Sequence, residues 1–187
     1  MKKKTYRKYV EFLCDLLVIA IPDIYFKKSG KYFDLDCKKV KAFKIKKCAK
    51  ATSIPMFNKI YVNLDIIDEK FEIYGVLAHE IRHFAQFYAA CGEKGFASPE
   101  IVEEFRDDMR HYNGCENKDY QNQSMEMDAN VFAWYILYSM NISLALPSVD
   151  DESRYQRYLD SIVSYFPMND VLDSMNYIGF EFEHDEN

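Results

Sequence analysis

From Asp68 to about Ala90 apolar residues recur with a helical period: Phe71, Tyr74, Leu77, Ala78, Ile81, then Phe84 and Ala85. Gly92 is a natural stop for such a helix. The stretch "VLAHEIRHFAQ" is apolar enough to be buried, yet it contains His79, Glu80, Arg82 and His83. Burying those side chains is costly unless each finds a partner. The helix therefore demands that something polar fold against it. A local ion-pair network, for instance Glu80 with Arg82, is one way to meet that demand.

The rest of the chain supplies candidates. Tyr9, Phe12, Leu13, Leu16, Leu17 and Ala20 form one stripe between Thr5 and about Ala20, and Pro22 is expected to end that helix. Three stretches of strand character follow: "KYFDLD" (31–36), "KAFKIKKC" (41–48) and "KIYVNLDI" (59–66). Breaks fall at "SG" (29–30) and "TSIPMFN" (52–58), so a small antiparallel meander or mixed sheet is expected. Ser98 and Pro99 read as the N-cap and first turn of a charged helix running to about Tyr112. After the loop "NGCENKDYQNQ" comes a long apolar helix, about 124–140, and two closing helices lie beyond Pro147. The acidic tail "EFEHDEN" reads as frayed. The order is α+β: an N-terminal helix and small sheet packed on a mostly helical C-terminal half. With 187 residues and no repeat or Gly/Ser linker, residues 1–187 read as a single domain.

Charge and cysteines limit the function classes. The net charge is −6, but residues 1–50 hold fifteen Lys and Arg against five Asp and Glu. Such a bias can mark a nucleic-acid-binding arm. Here the lysines of "CKKVKAFKIKKCAK" partly alternate with apolar residues, which favours a solvated sheet face over nucleic acid as partner. Five cysteines without a CxxC pair point to a reducing, cytoplasmic setting. The N-terminus imitates a signal peptide, but Glu11 and Asp15 interrupt its apolar run, which is also too short to span a bilayer.

The polar residues of the central helix have a spacing that suits a metal. The chain has only 4 His, and His79 and His83 stand one helical turn apart on one face. Glu80, rotated about 100° from His79, is placed to act on a water at that metal without ligating it. Zinc brings such a water to a pKa of about 7, and a carboxylate can then take its proton. A catalytic zinc needs a third protein ligand. The HExxHxxGxxH solution is absent, because Gln86 and Ala89 occupy its last two positions. A Glu on a later helix is the other solution, and "SMEMDANVFAWYIL" offers Glu126 with Asn130 on the same face. Glu126 is the expected ligand, and Asn130 the expected acceptor for a ligating histidine's free N–H. Asp128 points elsewhere and is expected to matter little to the metal.

HExxH followed by a helix bearing ExxxD or ExxxN resembles the gluzincin arrangement of zinc metallopeptidases. "EMDANVFAWYIL" is similar to the E-x-x-A-N-x-F-A segment of the ImmA/IrrE family, with Glu126, Ala129, Asn130, Phe132 and Ala133 in place. "HEIRHFAQ" also looks like phage-type zincins that carry a Gln three residues after the second His. The resemblance covers about residues 59–140. It implies a zincin-like fold, zinc as cofactor and intracellular cleavage of a specific protein such as a repressor. "KIYVNLDI" looks like the sheet edge with which zincins hold an extended peptide.

His111, in "RDDMRHYNG", is a candidate transition-state stabiliser or alternative ligand, although a solvated helix-end histidine is the plainer reading. Tyr112 and Tyr120 are weaker candidates for the same role. Cys115 reads as an idle loop thiol, or a zinc ligand in an inhibited state, and His184 has no assigned role. The expected function is zinc-dependent endopeptidase on a protein or peptide substrate, with Glu80 as general base. The rivals are a non-catalytic binding or regulatory protein on the same scaffold, and a nucleic-acid-binding accessory protein using the basic N-terminal third. An intact Glu80 favours the first, because a purely structural site needs no base.

Overall fold

The computed structural model describes residues 3–35, 38–41, 49–69, 71–93, 95–114, 117–142 and 152–180. Helix α1 (Lys3–Leu16) buries Tyr9, Phe12 and Leu13. It stops short of the expected Ala20 and does not wait for Pro22. Val18 takes a left-handed φ of 52°, and the Ile19 amide returns to the Cys14 carbonyl at 3.0 Å. That is a Schellman-type closure, made here without the usual glycine.

Five strands form one mixed sheet: β1 (Asp23–Lys28), β2 (Lys31–Asp34), β3 (Lys39–Val40), β4 (Ala51–Ile54) and β5 (Lys59–Asn63). The order is β3-β2-β1-β5-β4. The parallel β1–β5 pair at its centre departs from the expected meander, with Tyr25 opposite Tyr61. Ile24, Phe26, Ile60 and Val62 turn into the core from this pair. Strand alternation sends Tyr25 and Tyr61 to the other face, where their rings stack at 5.2 Å. β1 was missing from the sequence expectation, and β4 lies partly within the expected break at 52–58. Most of "KAFKIKKC", with Cys115, His184 and the acidic tail, lies outside the described residues.

Six helices stand among the described residues, so the fold is α+β and mostly helical. α2 (Glu72–Ala90) packs chiefly against α4 (Ser124–Ser139). α3 (Pro99–His111) is capped by Ser98, whose side chain accepts from the Ile101 amide. α5 (Glu152–Tyr165) and α6 (Met168–Ile178) flank α4, and α6 also meets α1. Gly92, at φ 106°, provides the expected stop after α2. No helix among the described residues is long and apolar enough to cross a membrane.

Candidate metal centre

α2 and α4 bring His79, His83 and Glu126 together. His79 Nε2 lies 3.1 Å from His83 Nε2 and 3.2 Å from Glu126 Oε2. His83 Nε2 is 3.5 Å from Glu126 Oε1. Zinc ligands at about 2.0–2.2 Å in a tetrahedron stand about 3.3–3.6 Å from one another. The close approaches involve both carboxylate oxygens of Glu126 and lie near that spacing, and the chemistry of the group, two imidazoles and a carboxylate, suits zinc. The same three residues stand out among the described residues as a group that could hold a metal.

The electrostatics follow from this crowding. Burial favours a neutral Glu126, but the His79 hydrogen bond, the nearby imidazoles and Tyr120 together hold its pKa at about 2. Burial lowers the His79 pKa, yet Glu126, Glu80 and Asn130 outweigh it and the net direction is upward. A metal arriving here therefore competes with protons for His79.

A second layer fixes the ligands. His83 Nδ1 is 2.6 Å from Gln86 Oε1, so the ring presents Nε2 to the centre. Gln86 Nε2 in turn donates to the Met125 carbonyl at 2.8 Å and to Asp128 Oδ2 at 2.7 Å. Asp128 also receives two bonds from Arg82, at 2.7 and 3.1 Å, and both side chains are fully buried. Arg82 additionally donates to the Phe96 carbonyl and lies over the Phe132 and Phe166 rings. Arg82 thus pairs with Asp128 and not with Glu80. Asn130 hydrogen-bonds His79.

The remaining candidates separate. His111 is 75% exposed at its side chain and turns back to Asp107, with Nδ1 3.2 Å from that residue's carbonyl. Tyr112, its neighbour, donates to Glu126 Oε1 at 2.9 Å. Tyr120 hydrogen-bonds both Tyr112 and Glu126. Burial, then the charge of Glu126, pushes both phenols well above the usual tyrosine range, so each remains a donor. Gln86 has no role in the sequence-based expectation, and Asp128 is expected there to matter little to the metal. The available signal was that Gln86 follows His83 by three residues, on one face of a helix too apolar to leave it unpaired.

A cleft opens on each side of the triad. One lobe, about 840 Å³, is lined near the centre by His79, Glu80, Glu126 and Asn130. The other, about 370 Å³, contains Phe87, Met109, Met125 and Pro55. Ala49, Ala51, Glu80 and Tyr120 border both. The strand beside the cleft is β4, an edge of the sheet as described. The expected edge, "KIYVNLDI", is instead the inner strand β5, between β1 and β4. The Asn63 amide donates to the Lys50 carbonyl at 2.7 Å, in step with the antiparallel register that sets Ala51 opposite Val62. Bonded pairs alternate along such a ladder. Thr52 and Ile54 therefore turn their backbone groups to β5, while Ala51 and Ser53 turn theirs to the open edge. Compared with protein-family models, curated proteins and solved structures, the chain gives no match.

Proposed function

We propose that the protein is a zinc-dependent endopeptidase with a zincin-like arrangement, His79, His83 and Glu126 being the metal ligands. The single observation that carries this reading is the convergence of those three ligand atoms beside Glu80 at the waist of an open cleft. Zinc, when bound, would acidify a water and polarise the substrate carbonyl.

The protein's own groups do the rest. Glu80, at the junction of the two lobes, takes the proton from the attacking water and returns it to the leaving amine. Tyr120 also borders both lobes, and its phenol stays protonated, so it is the group suited to donate to the developing oxyanion. Tyr112 supports it, and His111, turned to solvent, has no part in this reading. The outward backbone groups of Ala51 and Ser53 suit an extended segment added to β4, so the substrate is a protein or peptide with an unfolded stretch. Small side chains at Ala49, Ala51 and Ser53 leave room for it.

The test is Glu80→Gln, nearly isosteric but unable to accept the proton. Zinc content and melting temperature should match wild type, while hydrolysis of a quenched-fluorescence peptide library falls by about 10²–10⁴. Equal rates for the two proteins would refute the mechanism.

A further inference from the structure

We propose that Asp108 is a positioning residue for the metal centre: together with Arg154 it holds the first turn of α4 and so places the Glu126 carboxylate. The inference rests on the metal-centre reading and extends it to residues that line neither lobe of the cleft.

Glu126 lies in the first turn of α4, where the backbone amides lack acceptors within the helix. A Ser, Thr, Asp or Asn just ahead of a helix ordinarily caps such amides. Here Gln123 stands at that position and turns its side chain elsewhere. It accepts from the Asn113 amide at 2.7 Å and donates to the Asn113 and Tyr120 carbonyls. The cap comes from another helix. Asp108 Oδ2, on α3, accepts from the Met125 amide at 2.7 Å, and the Ser124 amide also bonds that carboxylate. Arg154, near the start of α5, attracts the Asp108 carboxylate and donates to the Asn122 carbonyl and to Ser124 Oγ, both at 2.7 Å.

The place of Asp108 on α3 ties this cap to the ligand. Glu104, Asp108 and, at the C-terminal cap, Tyr112 stand at four-residue intervals along one face. Glu104 holds α5 through Arg157 and Tyr158. Asp108 holds the backbone next to Glu126. Tyr112 donates to the Glu126 carboxylate itself, at 2.9 Å. One face of α3 therefore fixes both the backbone and the side chain of the ligand. Glu126 is buried with an oxygen toward each imidazole, so a tilt of its turn displaces the carboxylate from both.

The experiment compares Asp108→Ala, Asp108→Asn and Arg154→Ala with Leu13→Ala, which lowers stability through α1, an element that supplies no ligand. Zinc affinity of the full chain is read by competition with a chelator, and amide hydrogen exchange over residues 124–127 is read in the metal-free protein. Asp108→Ala should bind zinc about 10–100-fold more weakly and exchange faster over that turn. Asp108→Asn keeps an oxygen acceptor for the Met125 amide and should regain most of the affinity. Arg154→Ala should show a smaller loss in the same direction, and it carries the comparison if Asp108→Ala does not fold. Leu13→Ala should bind zinc as wild type does. Wild-type affinity in Asp108→Ala, or in Arg154→Ala where the former does not fold, overturns the positioning role and leaves the metal centre standing. An equal loss in Leu13→Ala does the same. Failure of the wild type to take up zinc overturns both.

Discussion

Helix α2 is held from two sides by unlike means. Toward α1 the seam is aromatic: Tyr9, Tyr74 and Phe180 pack ring on ring, with Phe12 stacked on Phe180 at 6.0 Å. It includes a polar bond, Tyr9 Oη to the Tyr74 carbonyl at 3.0 Å. Toward α4 the seam is polar: Arg82, His83 and Gln86 are buried against Glu126 and Asp128. Apolar contact gains free energy in rough proportion to area and tolerates volume-conserving swaps. A buried ion pair returns little net stability for its desolvation, but it does fix where atoms sit. The difference teaches that the first seam holds the fold and the second holds the site.

The sharpest way to break the polar seam is Asp128→Ala. It leaves Arg82 charged and fully buried without its carboxylate and frees Gln86 from its anchor. The expected cost is about 3–5 kcal/mol, read from urea unfolding. A loss below about 1 kcal/mol would mean that the pair does not stay dry in solution. The sequence-based expectation for Asp128 concerns zinc affinity; this cost is one of stability.

Leu13→Ala tests the apolar seam. Leu13 is fully buried, so about 2–5 kcal/mol should be lost. Zinc affinity of the molecules that remain folded should be unchanged, because α1 contributes no ligand. If zinc weakened in proportion to stability, the two seams would not be separable.

Gln86→Ala makes the smallest of these changes. It removes the acceptor that fixes the His83 ring but leaves every ligand in place. Zinc affinity should fall by about 10–100-fold, measured by competition with a chelator. An unchanged affinity would show that packing alone orients His83.

The contrast also explains what was legible in the sequence. The triad was readable because its signal is local on each helix: four-residue spacing in α2 and a Glu in the first turn of α4. Helices α2, α3 and α4 were readable for the same reason, with Ser98, Pro99 and Gly92 marking ends by their own backbone chemistry. The sheet order was not. Pairing β1 with β5 in parallel depends on a contact across more than thirty residues, which no local pattern encodes. β1 itself is within reach of the sequence, since Ile24 and Phe26 alternate with polar neighbours just past Pro22. Arg82 finding Asp128 rather than Glu80 is likewise a long-range choice between helices. Tyr112 and Tyr120 over His111 depends on where a loop returns to α4, which the sequence does not specify.

The central claim is that α2 and α4 together form one zinc centre. The most direct measurement is zinc stoichiometry by mass spectrometry on purified, zinc-equilibrated protein beside three variants: His79→Ala, Glu126→Ala and Glu80→Gln. The account predicts one zinc per chain in wild type and in Glu80→Gln, with severe loss in the other two despite retained helical circular dichroism. Zinc retained at wild-type affinity in both His79→Ala and Glu126→Ala, or absent from folded wild type under zinc excess, would contradict it.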